Sequence, residues 1–205
     1  KQAKVHLINP DKAFFGVLTA DKFIFGLKLT EVFPKSFMER RPRKRPFFHP
    51  SAMPPKLARC MVNLAKPKIG ELVVDPFCGT ASLLIEAGLI GCRVFGFDVQ
   101  RRMVDGGLLN LKHVGVEPEG MAVADARKIP MTEVNCIVTD PPYGTSATTL
   151  GLKPKQVVES FLSSLRSRVP EGKRICMASP KSVRLGEVGR NLGFKHVESH
   201  FVYVH

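Results

Sequence analysis

The sequence lacks the features of several large protein classes. No hydrophobic run reaches the roughly 18 residues that a membrane helix needs, and no secretory signal is visible. We therefore expect a cytoplasmic protein that does not interact with membranes. Acidic residues are scarce, with 18 Asp and Glu against 31 Lys and Arg and a formal net charge of +13 among 205 residues. This imbalance favours a polyanionic partner, because cations that neutralise phosphates release counterions; a merely basic surface is the alternative.

Cysteine and histidine show no metal-binding spacing. The five cysteines contain no C-x-x-C pair, and we expect them to be buried, reduced thiols. Among the six histidines only His196 and His200 approach a ligand spacing, in a segment that reads as a strand. The sequence therefore predicts no metal site.

The most informative stretch is Asp140-Pro141-Pro142-Tyr143, which follows the apolar run 134–139. The run reads as a buried strand. The prolines have no N–H and hold an extended turn, so their carbonyls can face a ligand without competing local donors. The carboxylate adds a charged acceptor, and the tyrosine ring offers a face on which a base can stack. The stretch predicts a site for the exocyclic amino group of a planar base; a plain proline-rich turn is the alternative.

A strand, a loop of small residues and a helix precede this stretch. Residues 71–74 form an apolar strand, and the loop 75–82 follows with the sequence DPFCGTAS. The next strand ends in Asp98, which lies 19 residues after Gly79. At that distance a carboxylate can accept hydrogen bonds from both ribose hydroxyls of a nucleotide-type ligand.

The first residue of this loop argues against a pyrophosphate ligand. Asp75 would repel phosphates, whereas it suits the ammonium and sulfonium cations of S-adenosylmethionine (SAM). Ala81 stands where a second glycine is usual in such loops. Alanine is small enough for the backbone to approach a ligand, so we expect looser binding rather than a different ligand.

Four blocks of sequence, in order and at suitable spacings, resemble the THUMP-associated RNA guanine-N2 methyltransferases, and above all the archaeal tRNA guanosine-10 N2-methyltransferase family. They are residues 48–59 (FHPSAMPPKLAR), 75–80 (DPFCGT), 123–126 (VADA) and 140–144 (DPPYG). The resemblance covers about three quarters of the chain and fades after about residue 180. It implies SAM as methyl donor and the N2 amine of a tRNA guanosine as acceptor, with one or two methyl groups added.

The resemblance also implies a role for each site residue. The catalytic residues are Asp140, Pro141, Pro142 and Tyr143. In the SAM site Asp98 binds ribose, Asp75 the methionine end and Asp125 the adenine amine, although Asp125 is alternatively a helix N-cap. The remaining SAM residues are His49, Pro50, Ser51, Phe77, Cys78, Gly79, Thr80, Val99, Ala126 and Asp140 itself.

The chain is expected to have three parts. Residues 1–33 contain three strand-like runs (5–8, 13–18 and 23–29) and predict a β-rich meander. Residues 34–50 predict a basic, proline-rich linker, and residues 51–205 the methyltransferase domain. Since the chain begins with Lys1, we expect a fragment of a longer protein. The resemblance implies that an RNA-binding THUMP domain lies upstream in the full-length protein.

Alternating strands and helices predict the fold of the third part. We expect a Rossmann-like α/β class I SAM-dependent methyltransferase with a mostly parallel, doubly wound sheet. The chain is expected to stop before the last strand of such a sheet. The expected strands are 71–75, 93–98, 120–123, 134–139, 173–178 and 195–204. The expected helices are 51–64 (capped by Ser51), 80–90, 100–113, 154–168 and 182–191.

A basic cluster lies within the expected linker. Five cations in six positions precede Phe47 and Phe48, and we expect them to contact RNA phosphates while the two rings pack in the core. A solvated linker is the alternative. The cluster consists of Arg40, Arg41, Arg43, Lys44 and Arg45.

Other activities share part of this chemistry. A DNA adenine-N6 or an rRNA guanine-N2 methyltransferase would use a similar acceptor loop. Protein glutamine methylation usually has Asn at the position of Asp140, which counts against it. An inactive RNA-binding module is a further alternative, against which intact Asp98 and Asp140 argue. The protein is expected to be a monomer with tRNA as partner.

Overall fold

The computed structural model describes residues 4–8, 10–31, 34–129, 131, 133–142 and 151–203. The chain divides into two compact units, Lys1–Ser36 and Phe37–His205. The division falls early in the expected linker, so residues 37–50 belong to the second unit.

The first unit contains a two-stranded antiparallel hairpin. Strand β1 (Phe14–Leu18) pairs with β2 (Phe23–Leu27), and the rings of Phe14 and Phe25 stack at 5.6 Å between centroids. The expected third strand over residues 5–8 is wrong, because that run has no hydrogen-bonded neighbour among the described residues and forms no ladder.

The second unit is built on a five-stranded, fully parallel sheet in the order β5-β4-β3-β6-β7. The chain reverses its direction of winding between β3 and β6, which is where ligands bind in such sheets. The strands are β3 (Leu72–Asp75), β4 (Arg93–Asp98), β5 (Gly120–Val123), β6 (Cys136–Thr139) and β7 (Arg174–Met177). Helix α1 (Pro34–Glu39) begins in the first unit and ends in the second. The other helices are α2 (Pro55–Ala65), α3 (Ser82–Gly88), α4 (Arg101–His113), α5 (Pro154–Arg168) and α6 (Leu185–Asn191).

Helices cover both faces of this sheet. Alternate residues of β3 point to opposite faces, so Val73 packs with Leu84 of α3 in one apolar core. Val74 packs in the other core with Phe161 of α5. The expected doubly wound α/β fold is therefore confirmed. Among the described residues, no helix combines the length and apolar character needed to cross a membrane.

Two expected elements differ from the structure. Helix α2 begins at Pro55 with Pro54 as N-cap, so Ser51 does not cap it; the two prolines fix the first turn instead. The expected strand over residues 195–204 is wrong, because described residues 195–203 form no ladder with β7 and remain exposed and irregular.

Candidate active site

Four carboxylates gather at the carboxyl edge of the sheet. Asp75 and Asp98 are the last residues of β3 and β4, Asp140 follows β6, and Asp125 lies two residues beyond β5. Parallel strands bring their carboxyl ends to one edge. All four side chains consequently line one open cleft, together with His49, Pro50, Ser51, Phe77, Cys78, Gly79, Thr80, Val99, Pro141 and Pro142.

The loop between β3 and α3 is fixed by unusual backbone conformations. Gly79 has a φ of +48° and Ala81 a φ of +63°, and Ala81 is the N-cap of α3. Gly107 of α4 lies so close that a Cβ there would be 3.0 Å from the carbonyl oxygen of Gly79. This close packing leaves the loop little freedom to move. Burial raises the pKa of the Cys78 thiol well above its usual range, which keeps it protonated.

Asp75 is almost completely buried, with 1% of its surface exposed. Its Oδ1 accepts hydrogen bonds from the Thr139 hydroxyl at 2.6 Å and from the Phe77 N–H at 3.1 Å. Burial raises the pKa of Asp75 to about 7, and the charges of Asp140 and Asp98 add to this effect against the two hydrogen bonds. A cation placed beside Asp75 would favour its ionised form.

Asp98 is hydrogen-bonded on both oxygens. Oδ2 accepts from the Gly79 N–H at 3.1 Å and Oδ1 from the Gln100 N–H at 2.9 Å. Burial raises the pKa of Asp98, and these bonds together with the nearby His49 oppose the shift. Since a carboxylate oxygen accepts more than one hydrogen bond, both oxygens retain capacity for a ligand hydroxyl.

The turn 49–51 is held by its own side chains. Nδ1 of His49 lies 2.7 Å from the Ser51 hydroxyl and 3.3 Å from the Ser51 backbone nitrogen. The turn therefore has a defined shape on the side of the cleft that carries Asp98.

Asp125 is occupied by its neighbour Arg127. It is the N-cap of a 3₁₀ turn at Ala126–Lys128 and accepts from the Arg127 N–H at 2.9 Å. The Arg127 guanidinium also contacts both carboxylate oxygens at 2.5–2.9 Å, which lowers the pKa of Asp125. The N-cap alternative is therefore present, and a ligand amine would have to compete with Arg127. Ala126 is buried and does not line the cleft.

The acceptor loop is anchored to its neighbours at its first residues. Thr139 belongs to β6, and its carbonyl accepts from the Ala178 N–H at 3.0 Å, which places the segment after β7 beside Asp140. Pro141 is buried and Pro142 half-buried. Tyr143 and Gly144 lie outside the described residues, so the stacking role of Tyr143 stays a prediction.

The basic cluster separates into two groups. Arg40 pairs with fully buried Glu86 through Nε at 2.5 Å and Nη2 at 3.0 Å, and Arg59 reaches the same carboxylate at 2.9 Å. Arg45 is 5% exposed and donates to Ser82 Oγ at 2.8 Å, and burial lowers its pKa to about 10. Arg40 and Arg45 are both engaged inside the fold, which counts against the predicted contact with RNA. For the remaining, exposed cations it stays a prediction; they are Arg41, Arg43 and Lys44.

Sequence reasoning missed Asn110, a fully buried residue of α4. Its Nδ2 donates to the carbonyls of Phe47 and Thr80 at 2.9 and 3.0 Å, and its Oδ1 accepts from the Phe47 N–H at 3.0 Å. Asn110 thus ties residue 47 to the loop after β3. A polar residue on the apolar face of a helix was the available signal.

The two phenylalanine rings after the basic cluster differ in burial. The Phe47 ring covers Gly106 of α4, whereas Phe48 is 43% exposed. The prediction that the Phe48 ring packs in the core is therefore wrong.

Comparisons with known proteins agree with this arrangement. The model of the RMKL-like methyltransferase domain family (UPF0020) matches residues 42–205. The tRNA (guanine(10)-N2)-dimethyltransferase of Methanothermobacter thermautotrophicus is 48% identical over 178 residues, covering 86% of this chain and 53% of the relative. The enzyme of the same name from Pyrococcus abyssi is 39% identical, covering 98% of this chain and 61% of the relative.

Solved structures give the fold. The crystal structure of TrmN from Thermus thermophilus aligns with a TM-score of 0.61 at 23% identity, over 89% of this chain and 53% of that chain. This chain spans about half to three fifths of the length of the proteins just compared. Because the family model matches most of the chain and both relatives exceed 30% identity, the chain belongs to the RMKL-like methyltransferase domain family.

Proposed function

We propose that this chain methylates the exocyclic N2 amine of a guanosine in tRNA, at position 10, with SAM as methyl donor. The observation that carries the proposal is the acceptor loop Asp140-Pro141-Pro142, which lines the same cleft as Asp75 and Asp98. The names of the two curated relatives support the choice of tRNA, guanine N2 and position 10. The addition of a second methyl group is supported by the same names.

The residues of the cleft fit SAM. Asp98 retains acceptor capacity for two ribose hydroxyls beyond its bonds to Gly79 and Gln100. Buried Asp75 would be stabilised in its ionised form by the cationic methionine end. The turn 49–51 adds contacts beside Asp98, and Asp125 would take the adenine amine once Arg127 moves aside. When bound, SAM supplies an electrophilic methyl group.

The chain's own groups would prepare the amine. The guanine N2 lone pair is conjugated with the ring, so the nitrogen is a poor nucleophile. Asp140 and the Pro141 carbonyl would accept its two N–H groups, which favours a pyramidal nitrogen with its lone pair directed away from them. The carboxylate of Asp140 would also stabilise the positive charge that develops on nitrogen. Orientation of the base, with Tyr143 stacked on it, would supply most of the acceleration.

The proposal also covers the accompanying domain, the oligomeric state, the cellular location and the contacts with tRNA. We infer that a THUMP domain accompanies this chain in the full-length protein, that the protein is a monomer and that it acts in the cytoplasm. The exposed Arg41, Arg43 and Lys44 would contact the tRNA backbone. A paired target base would have to flip out of its helix to reach Asp140.

Nucleoside mass spectrometry tests the activity directly. Full-length protein is incubated with methyl-labelled SAM and, in parallel reactions, with unmodified tRNA, rRNA or DNA, and the digested nucleosides are analysed. We expect labelled N2-methylguanosine or its dimethyl form, and none with a tRNA that carries adenosine at position 10. Labelled N6-methyladenosine would instead identify an adenine methyltransferase, and labelled rRNA guanosine a ribosomal substrate. SAM binding without transfer to any nucleic acid would leave only a binding module.

A further inference from the structure

The segment that follows β7 borders the acceptor loop. Its backbone is tied there by the hydrogen bond from Ala178 N–H to the Thr139 carbonyl, one residue before Asp140. The chain then runs through a 3₁₀ turn at Lys181–Val183 to Arg184, the N-cap of α6. The segment 178–184 therefore extends from the carboxyl edge of the sheet beside the site of methyl transfer.

This segment carries two exposed cations. Lys181 follows Ala178 by three residues and Arg184 by six, so both lie shortly after the hydrogen bond that ties the segment beside Asp140. Lys181 Nζ lies 5.7 Å from the centroid of the Phe201 ring. The Arg184 side chain is 74% exposed, and its described polar contact is Glu187 at 3.6 Å. Such exposed ion pairs are weak and are readily exchanged for a stronger anion.

Arg184 adopts a backbone conformation that favours glycine. Its φ and ψ are +53° and +50°, in the left-handed region where a Cβ is unfavourable. Glycine would take this conformation without strain, but it would provide no cation. Arg184 is also the C-cap of the 3₁₀ turn, a position where glycine is the usual residue in this conformation.

We propose that Arg184 and Lys181 bind backbone phosphates of the RNA strand next to the target nucleotide. This inference rests on the proposed function, which brings an RNA base to Asp140. A guanidinium can bind a phosphate through two parallel hydrogen bonds, and an ammonium adds a second positive charge. These contacts hold the strand in register with the acceptor loop while the loop selects the base.

The test replaces Arg184 by glycine in the full-length protein. Arg184→Gly removes the cation and also the backbone strain, so affinity for RNA and thermal stability should change in opposite directions. We expect the tRNA KM to rise about tenfold, as for loss of one charged hydrogen-bonding group. The slope of log affinity against log salt should fall by about 0.7–0.9 per lost contact. The melting temperature should rise by about 1–4 °C and the dissociation constant for SAM should not change.

Lys66 provides a matched control. It is the C-cap of α2, with φ and ψ of +51° and +48°, and its carbonyl accepts from Arg174 at the start of β7, at the opposite edge of the sheet. Lys66→Gly removes the same charge and the same strain. We expect the same rise in melting temperature with no change in tRNA KM or salt slope.

The outcomes separate the two proposals. Methyl transfer by the wild type with an unchanged tRNA KM in Arg184→Gly would overturn the phosphate contact and leave the proposed function intact. A lower melting temperature in Arg184→Gly would show a structural side chain and also overturn it. If the wild type transfers no methyl group but Arg184→Gly still loses RNA affinity in a gel-shift assay, the contact stands and the proposed function fails.

Discussion

Asp75 should make both stability and SAM binding depend on pH, and Asp75→Asn tests this. The pKa of this buried carboxyl is raised from 3.8 to about 7, chiefly by desolvation. Between these two values the folded state holds a proton that the unfolded state has lost. The free energy of unfolding should therefore fall as pH rises from about 4 to 7 and stay level above 7.

The size of the effect follows from the shift. About three pKa units at 1.36 kcal/mol each set an upper limit of roughly 4 kcal/mol. Asparagine keeps an oxygen that can accept from Thr139, but its NH₂ group is buried in turn, so we expect a gain of roughly 2 kcal/mol at pH 8. The cost of the buried NH₂ group does not depend on pH. The advantage of Asp75→Asn should therefore shrink as pH is lowered, reach zero at about pH 5.5 and become a deficit of roughly 2 kcal/mol near pH 4.

Urea unfolding at a series of pH values measures this difference. Thr139→Val, which removes the hydroxyl that donates to Asp75, should move the titration to higher pH, because that bond favours the anion. Calorimetry of SAM binding below pH 7, in buffers of different ionisation enthalpy, should show proton release that Asp75→Asn abolishes. A stability difference that does not vary with pH would refute the reasoning.

Three further perturbations test the site. Asp140→Ala should abolish methyl transfer and leave the calorimetric affinity for SAM nearly intact; normal turnover at saturating substrates would contradict the role of Asp140 towards the amine. Asn110→Leu leaves three buried backbone groups without a hydrogen-bond partner, the N–H and carbonyl of Phe47 and the carbonyl of Thr80. It should lower the free energy of unfolding, measured in urea, by roughly 3 kcal/mol, and a loss below about 1 kcal/mol would contradict the importance of these bonds. Arg41→Ala with Arg43→Ala should reduce the salt slope of tRNA binding by about 0.7–0.9 per contact, and an unchanged slope would indicate a solvated surface.

The carboxyl edge of the sheet was predictable because local patterns determine it. Apolar runs followed by an acid predicted Asp75, Asp98 and Asp140 at strand ends, and alternation with helices made the strands parallel. Parallel strands leave no choice about which edge these residues share. The same logic could not reveal that Arg127 occupies Asp125, since a loop of this length offers many conformations.

The sequence could not predict which cations of the basic cluster are engaged inside the fold. Five cations in six positions have the same local character, and only contacts across about forty residues distinguish Arg40 and Arg45 from the others. The predicted strand over residues 195–204 was wrong for a related reason. A strand requires a hydrogen-bonded neighbour, and an alternating sequence pattern does not show whether one is present. Long-range pairing was the missing information in both cases.

The carboxylate of Glu86, shared by Arg40 and Arg59, constrains how this protein can evolve. Substitution of either arginine leaves the buried charge of Glu86 less compensated, and substitution of Glu86 leaves Arg40 and Arg59 without their anionic partner. Each single substitution should therefore be strongly destabilising. The three positions should therefore be inherited together or replaced together by apolar residues. Correlated substitution at Arg40, Arg59 and Glu86 among related sequences would show that residues 37–50 stay attached to the rest of the second unit.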